Sequence, residues 1–354
     1  MKQILQPSNY FCSMNEEMII GVKQLLETPK KIVIVPHKSP DGDAIGSITA
    51  LYSYLNKLGH ETTMISPNDY PKFLSWLDHT DKIINFEKQN SQALTAIDEA
   101  QIIFILDHNA LHRAGDMEQQ LTASDATFVM IDHHQQPDDF ARFMYSDTSM
   151  SSTCEMVYHF LDQLDALDLI DQGMATSLYT GILTDTGSFK YRSTTSTTLR
   201  VAANLVDKGA DSEKINRRIY DVNSPSRMKL LGVALSNLII LPEYRAAFIT
   251  LTQQELDDNN FEKGDTEGFV NYALSLDDIV FAQIFIEKAD ESMIKTSLRS
   301  KGDFDVNKMA REHWNGGGHK NAAGGRSEAS MQETVDKLIS ILPQYESDLK
   351  STII

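Results

Sequence analysis

Four short segments of this chain carry carboxylates and imidazoles in patterns that suit divalent cations. The first is His37-Lys-Ser-Pro-Asp41-Gly-Asp43, in which two acids can reach neighbouring coordination positions and Gly42 is expected to let the backbone turn tightly between them. Asp107 closes the apolar run Gln101-Ile-Ile-Phe-Ile-Leu106, Asp132-His133-His134 closes Thr127-Phe-Val-Met-Ile131, and Asp185 sits in Gly181-Ile-Leu-Thr-Asp-Thr-Gly187. Asp and His together suit a metal of borderline hardness, such as Mn or Zn. Each segment also has a plain structural reading: Asp43 before Ala44 could cap a helix, and His37 after Pro36 could be a turn residue. Taken jointly the structural reading is poor, because acids gathered on one rim would repel and raise one another's pKa values unless cations neutralised them. The simplest neutraliser is a pair of divalent ions sharing carboxylates. Such a pair clamps an in-line phosphoryl displacement and lowers the pKa of a bridging water.

The elements that must position these residues can be read from periodicity. Lys31 to Pro36 is short, continuous and β-branched, the pattern of a fully buried strand, and an amphipathic helix precedes it over about 15–28. Ala44 to Leu58 reads as a helix stopped by Gly59, with strands at Glu61–Ser66, Gln101–Asp107 and 127–132. Helices are expected over 152–164, 172–183 and about 195–208. This alternation predicts an α/β fold with a mostly parallel sheet and helices on both faces. The acid-bearing strand ends then fall on the edge where open α/β sheets bind ligands. Polar residues from Asp211 to Arg218 lead into Asn223-Ser-Pro-Ser226, so the expected division is a metal-binding domain over 18–215, a linker over 216–235 and a smaller α/β domain over 236–343. Strands at Arg245–Leu251, Val280–Lys288 and Met293–Ser300 and a last helix over about 330–342 belong to the smaller domain. The extra residues at either end, about 1–17 and 344–354, receive no assignment.

That domain contains the most unusual local composition, Trp314-Asn-Gly-Gly-Gly-His-Lys-Asn-Ala-Ala-Gly-Gly325. A flexible turn is one reading of Gly316-Gly317-Gly318-His319. The other is a phosphate cradle of bare backbone N–H groups with His319 as a donor. Arg299 and Lys301 end a predicted strand and are either solvated or phosphate-binding. The net charge of −18 excludes sequence-independent binding to long nucleic acid, which needs a basic footprint, but not a small phosphorylated substrate. No basic stripe with stacking aromatics is present, and Arg299, Lys301, His319, Lys320 and Arg326 suffice only for a few nucleotides. No apolar stretch is long enough to span a membrane, and no signal-peptide pattern opens the chain. Cys12 and Cys154 give neither a disulfide framework nor a zinc spacing, which fits a reducing cytoplasm.

His-x-x-x-Asp-x-Asp, a lone strand-end Asp, Asp-His-His and Gly-Ile-x-Thr-Asp-Thr-Gly, in this order, resemble the motifs of the DHH phosphoesterase family. The Gly-Gly-Gly-His element resembles its DHH-associated substrate domain, and the match spans roughly 18–343. The two-domain layout is most similar to the branch of short oligoribonucleases and 3'-phosphoadenosine-5'-phosphate (pAp) phosphatases. The resemblance implies that His37 and Asp41 bind one metal, that Asp43 and His133 bind a second, and that Asp107 bridges them, with Asp185 as a further carboxylate. It implies that His134 acts on the scissile phosphate or leaving group and that Asp132 orients the His pair. It places Arg299, Gly317, Gly318 and His319 on the substrate across an interdomain cleft, with Arg113 as a weaker candidate. His108 and Asn109 receive no role. The implied cofactor is two divalent ions, Mn first and Mg or Co as alternatives. The implied substrates are short RNA, pGpG or pAp, and a homodimer is left open. An inorganic pyrophosphatase or exopolyphosphatase, a cyclic-dinucleotide phosphodiesterase and a non-catalytic nucleotide sensor are the other readings.

Overall fold

The computed structural model describes residues 16–221 and 223–353; the expected start of the chain, and Cys12 with it, lie outside them. The described residues separate into two compact units, divided between Ile219 and Tyr220. The first contains, in order, α1 (Glu16–Leu26), β1 (Lys31–Val35), α2 (Gly42–Lys57), β2 (Glu61–Ser66), β3 (Ile84–Asn85), α3 (Asn90–Glu99), β4 (Ile102–Leu106), α4 (Glu118–Thr122), β5 (Thr127–Asp132), β6 (Phe143–Ser146), α5 (Thr153–Gln163), α6 (Gln172–Asp185), α7 (Ser196–Asp207) and α8 (Ser212–Tyr220). Its six strands form one sheet in the order β3-β2-β1-β4-β5-β6, and every pairing is parallel.

A strand buried on both faces sends alternate side chains to opposite cores. Ile32, Ile34, Phe104, Leu106, Val129 and Ile131 join the core shared with α1, α2, α5 and α6. Val33, Val35, Ile103, Ile105, Phe128 and Met130 join the opposite core with α3 and α4. The apolar runs are therefore continuous because each of their two faces is covered. The chain winds outward from β1 in one direction through β2 and β3, then returns to β1's other side as β4. That reversal makes a topological switch point at the C-terminal ends of β1 and β4.

Glycines bring α2, α5 and α6 close together. A Cβ on Gly46 would lie 2.5 Å from the Ser177 carbonyl oxygen, and one on Gly181 would run into Cys154 Sγ. Thr49 Oγ1 meets Ser177 Oγ at 3.1 Å across the same contact.

The second unit holds α9 (Pro225–Ser236), β7 (Ile239–Leu241), β8 (Ala246–Leu251), α10 (Gln253–Asp258), α11 (Phe269–Leu274), β9 (Phe281–Lys288), β10 (Met293–Ser300), α12 (Val306–His313), β11 (Gly317–His319), β12 (Ala322–Ser327) and α13 (Met331–Ser351). Its mixed sheet runs β11-β12-β10-β9-β8-β7, with only β8 and β9 parallel. Helices α12 and α13 share one core with Phe248, Phe285 and Leu298, while α9, α10 and α11 share the other with Ile249 and Ile284.

The structure differs from the sequence reading in three places here. Much of the stretch read as linker is helical: Ser224 accepts from the Arg227 N–H, Pro225 sits in the first turn, and Leu230 and Ala234 are buried. The glycine-rich segment is a hairpin rather than a loop. Helix α13 continues through Pro343 to Ser351 because Leu342 and Leu349 on either side of the proline are buried in one core.

Candidate metal centre

Each acid-bearing segment lies on the C-terminal rim of the parallel sheet or on a helix end beside it. His37 follows β1, and Asp41 and Asp43 open α2. Asp107 follows β4, Asp132 ends β5 ahead of His133 and His134, and Asp185 is the last residue of α6. Asp41 is the N-cap of α2; its Oδ1 accepts from the N–H groups of Asp43 at 3.0 Å and Ala44 at 3.1 Å. The capping role thus belongs to Asp41 and not to Asp43. Gly42 is not a turn residue either. It is the first helical residue, and a Cβ there would collide with Thr184 Oγ1. Asp107 adopts φ 62°, the left-handed region that short polar side chains tolerate and that clusters at ligand sites.

The side chains converge. His37 Nε2 is 3.4 Å from Asp107 Oδ2. His133 Nε2 is 3.6 Å from Asp107 Oδ1, 3.6 Å from Asp185 Oδ2 and 3.8 Å from Asp43 Oδ2. Two donor triples result, His37–Asp41–Asp107 and Asp43–Asp107–His133, each with its ligand atoms within 4.8 Å of one another. Asp107 is common to both. A third triple, Asp107–Asp132–His134, shares that acid. Both Asp132 oxygens are engaged by His134, however: Oδ1 lies 2.6 Å from Nδ1 and Oδ2 accepts the backbone N–H at 2.9 Å. Asp132 is therefore a support for the His134 ring, while His133 Nδ1 faces the Met150 carbonyl oxygen at 3.3 Å.

Burial pushes the Asp43 carboxyl well above its ordinary pKa, and the charges of Asp107 and Asp185 push it further. Burial opposes protonation of His133, but Asp185, Asp43, Asp107 and Asp132 outweigh it and lift that imidazole to about 9. Burial, followed by repulsion from Asp107, raises Asp132 to about 6. Burial would also raise Asp107. The His37 imidazole beside it and the charges of His133 and Arg113 overcome it and hold that carboxyl below the usual range. The cluster thus has more negative charge than its own cations balance, and its mixed oxygen and nitrogen donors match divalent metals of borderline hardness. The residues present fit a pair of divalent cations.

Arg113 reaches the same rim. The Lys38 N–H donates to its carbonyl at 2.8 Å, and its Nη2 lies 3.3 Å from His134 Nε2. A guanidinium can only donate, so Nε2 is the accepting nitrogen and Nδ1–H faces Asp132. Asn109, given no role from the sequence, ties β4 to the Asp-His-His turn through Nδ2 bonds of 3.0 Å to the His134 carbonyl and 3.1 Å to that of Gln135. Thr153 was also missed; its N–H donates to Asp43 and its hydroxyl to Asp107. The available signal was Ser152-x-x-Glu155, an N-terminal helix signature beside an unassigned Thr.

Apart from Arg113, the residues expected on substrate lie in the second unit. Ala322 pairs with Arg299 on one side and His319 on the other, which sets both on one face of the sheet with only a methyl between them. A Cβ at Gly316 would strike the Gly324 carbonyl, so packing demands that glycine. At Gly317 the nearest atoms would be 3.5 Å and more away. Gly318 takes φ 151° and donates its N–H to Asn307 Oδ1 at 2.9 Å. Lys320 pairs with Asp303 at 2.9 Å, and Lys301 Nζ donates to the Leu276 carbonyl at 3.2 Å.

A doubly wound parallel sheet with bridgeable acid–imidazole triples at its switch point defines a metal-dependent phosphoesterase. Residues 31–182 match the model of the DHH family N-terminal domain, and residues 245–347 match the DHHA1 domain. The chain belongs to the DHH family, whose enzymes use divalent metals. It is 30% identical to the Thermus thermophilus bifunctional oligoribonuclease and PAP phosphatase NrnA, over 87% of this chain and 88% of that protein. It is 28% identical to the Bacillus subtilis protein of the same name, over 83% and 88%. A Bacteroides fragilis crystal structure, described as an exopolyphosphatase-related protein, superposes with a TM-score of 0.92 at 38% identity, covering 96% of this chain and all of that one.

Proposed function

We propose that this phosphoesterase removes mononucleotides from one end of short oligoribonucleotides, pGpG included, and converts pAp to AMP. The observation that carries the reading is the pair of donor triples sharing Asp107, with His134 fixed beside them on Asp132. His37, Asp41 and Asp107 would hold one cation, and Asp43, Asp107 and His133 the second, with Asp185 supplying a further carboxylate. Divalent cations at such a site neutralise the phosphate and lower the pKa of water. Mn is the metal we propose, with Mg and Co as alternatives.

The chain's own residues supply the rest. The Arg113 guanidinium would grip a phosphate oxygen, and doing so would release His134 Nε2. Once protonated at Nε2, the ring is an imidazolium held by the Asp132 carboxylate, able to donate to a phosphate oxygen or to the departing ester oxygen. In the second unit Arg299 and His319 would form a donor pair for a terminal phosphate, with uncrowded Gly317 beside them, while the Gly318 N–H is already taken by Asn307 Oδ1. The oligoribonuclease and PAP phosphatase named among the relatives supports this substrate class. The presence of two cysteines, with Cys154 a buried free thiol, supports a reducing cytoplasm as its setting.

The test is a turnover assay with Mn on pAp, pGpG, a five-nucleotide RNA, c-di-AMP, pyrophosphate and polyphosphate. We expect pAp or short RNA to be preferred and Asp41→Ala and His133→Ala to be inactive yet folded. Clear preference for pyrophosphate or polyphosphate, or retained activity in either variant, contradicts the proposal.

A further inference from the structure

Thr153, the first residue of α5, touches both central acids of the site. Its backbone N–H donates to Asp43 Oδ2 at 2.6 Å, and its hydroxyl donates to Asp107 Oδ1 at 3.0 Å. The next N–H, that of Cys154, takes the other Asp43 oxygen at 2.8 Å. Asp43 comes from α2 and Asp107 from the end of β4, so one residue of a third element fixes both. The hydroxyl bond also settles which way the Asp107 carboxylate faces. With Oδ1 held by Thr153, that oxygen lies 3.6 Å from His133 Nε2, and Oδ2 lies 3.4 Å from His37 Nε2. The carboxylate thus presents one oxygen to each donor triple.

Thr153 is itself held. The Ser152 hydroxyl oxygen accepts the Glu155 N–H at 3.0 Å. The buried Glu155 carboxylate accepts from the Ser151 N–H at 3.1 Å, from the Ser151 hydroxyl, and from Thr198 Oγ1 of α7 at 3.0 Å. The loop cannot drift without breaking this buried set. A hydroxyl delivered so rigidly to a metal-binding acid orients that acid ahead of the cation.

We infer that Thr153 is a positioning residue for the metal pair, its hydroxyl setting Asp107 in the bridging orientation. This rests on the ligand assignment above. Mn titrated calorimetrically into metal-free full-length protein tests it without reference to turnover. Thr153→Val keeps the shape and the N–H but removes the hydroxyl donor. It is expected to weaken Mn binding about 10–100-fold, while Thr153→Ser stays within about threefold of the unaltered chain. If the Val variant melts early, Thr153→Ala against Thr153→Ser makes the same comparison. Unchanged affinity in the hydroxyl-free variants, or an equal loss in Ser, overturns the inference. Asp107→Asn separates the two levels. Loss of tight Mn binding there with none in Thr153→Val leaves the ligand assignment standing and removes Thr153's role. Unchanged binding in Asp107→Asn overturns the assignment and the inference with it.

Discussion

Glu155 is the anchor on which the loop carrying Thr153 depends. Its side chain is 1% exposed, and one oxygen receives three donors. Burial alone would raise its carboxyl pKa, but the His159 imidazole 3.8 Å away and the bonds from Ser151 and Thr198 outweigh it and hold the value below the usual one. Glu155→Ala would leave those donors facing a void. Leaving a buried donor without its acceptor costs about 1–3 kcal/mol, so about 3–5 kcal/mol for this set once the hydroxyls turn to other acceptors; for a unit of this size each kcal/mol moves the melting temperature by about 2–4 °C. The expected fall is therefore roughly 6–20 °C. Glu155→Gln keeps one carbonyl oxygen and should lose only about 1–2 kcal/mol. The pH dependence follows from the direction of the shift. A carboxyl whose folded pKa lies below its unfolded value, about 4.3, stabilises fully above that value and loses the contribution as pH falls through the folded pKa. Glutamine does not titrate, so the gap in melting temperature between the unaltered chain and Glu155→Gln should be widest near pH 7 and close below about pH 4. Thermal unfolding followed by circular dichroism at stepped pH reads this directly. A gap that stays constant down the pH series, or an Ala variant melting within 2 °C or so of the original, would mean that the Glu155 carboxylate does not anchor the loop.

Two further outcomes test the packing and the chemistry. Gly181→Ala forces a Cβ into Cys154 Sγ and to within 2.8 Å of Asp43 Oδ1, so it should lower stability by about 1–3 kcal/mol, with partial recovery in the Gly181→Ala/Cys154→Ala pair. No recovery in the pair would place the strain elsewhere. His134→Ala should cut kcat by about 10²–10⁴-fold while metal content measured by mass spectrometry stays that of the original; loss of metal would make His134 a ligand instead.

The proposed ligand set was legible because carboxylates at strand ends stand out against continuous apolar runs such as Ile102–Leu106. The parallel sheet was legible for the same reason. What escaped was whatever depends on contacts distant in sequence. Gly42 and Gly181 look like turn punctuation, yet they serve the approach of α2 to α6 and α5. Thr153 and Asn109 look ordinary until the fold carries them to Asp107 and the Asp-His-His turn. Strand β6 is short and half-buried, so it shows no continuous apolar run. The Gly316–Gly325 stretch read as a loop because its strand pairing is permitted by the lack of side chains rather than promoted by β-branched ones. Pro343 marked a stop that burial of Leu342 and Leu349 overrides.

If Asp107 joins two cation sites as proposed, anomalous scattering from crystals grown with Mn will locate both. Two peaks are expected, one among His37, Asp41 and Asp107 and one among Asp43, Asp107 and His133. A single peak, or peaks away from Asp107, would contradict a shared Asp107.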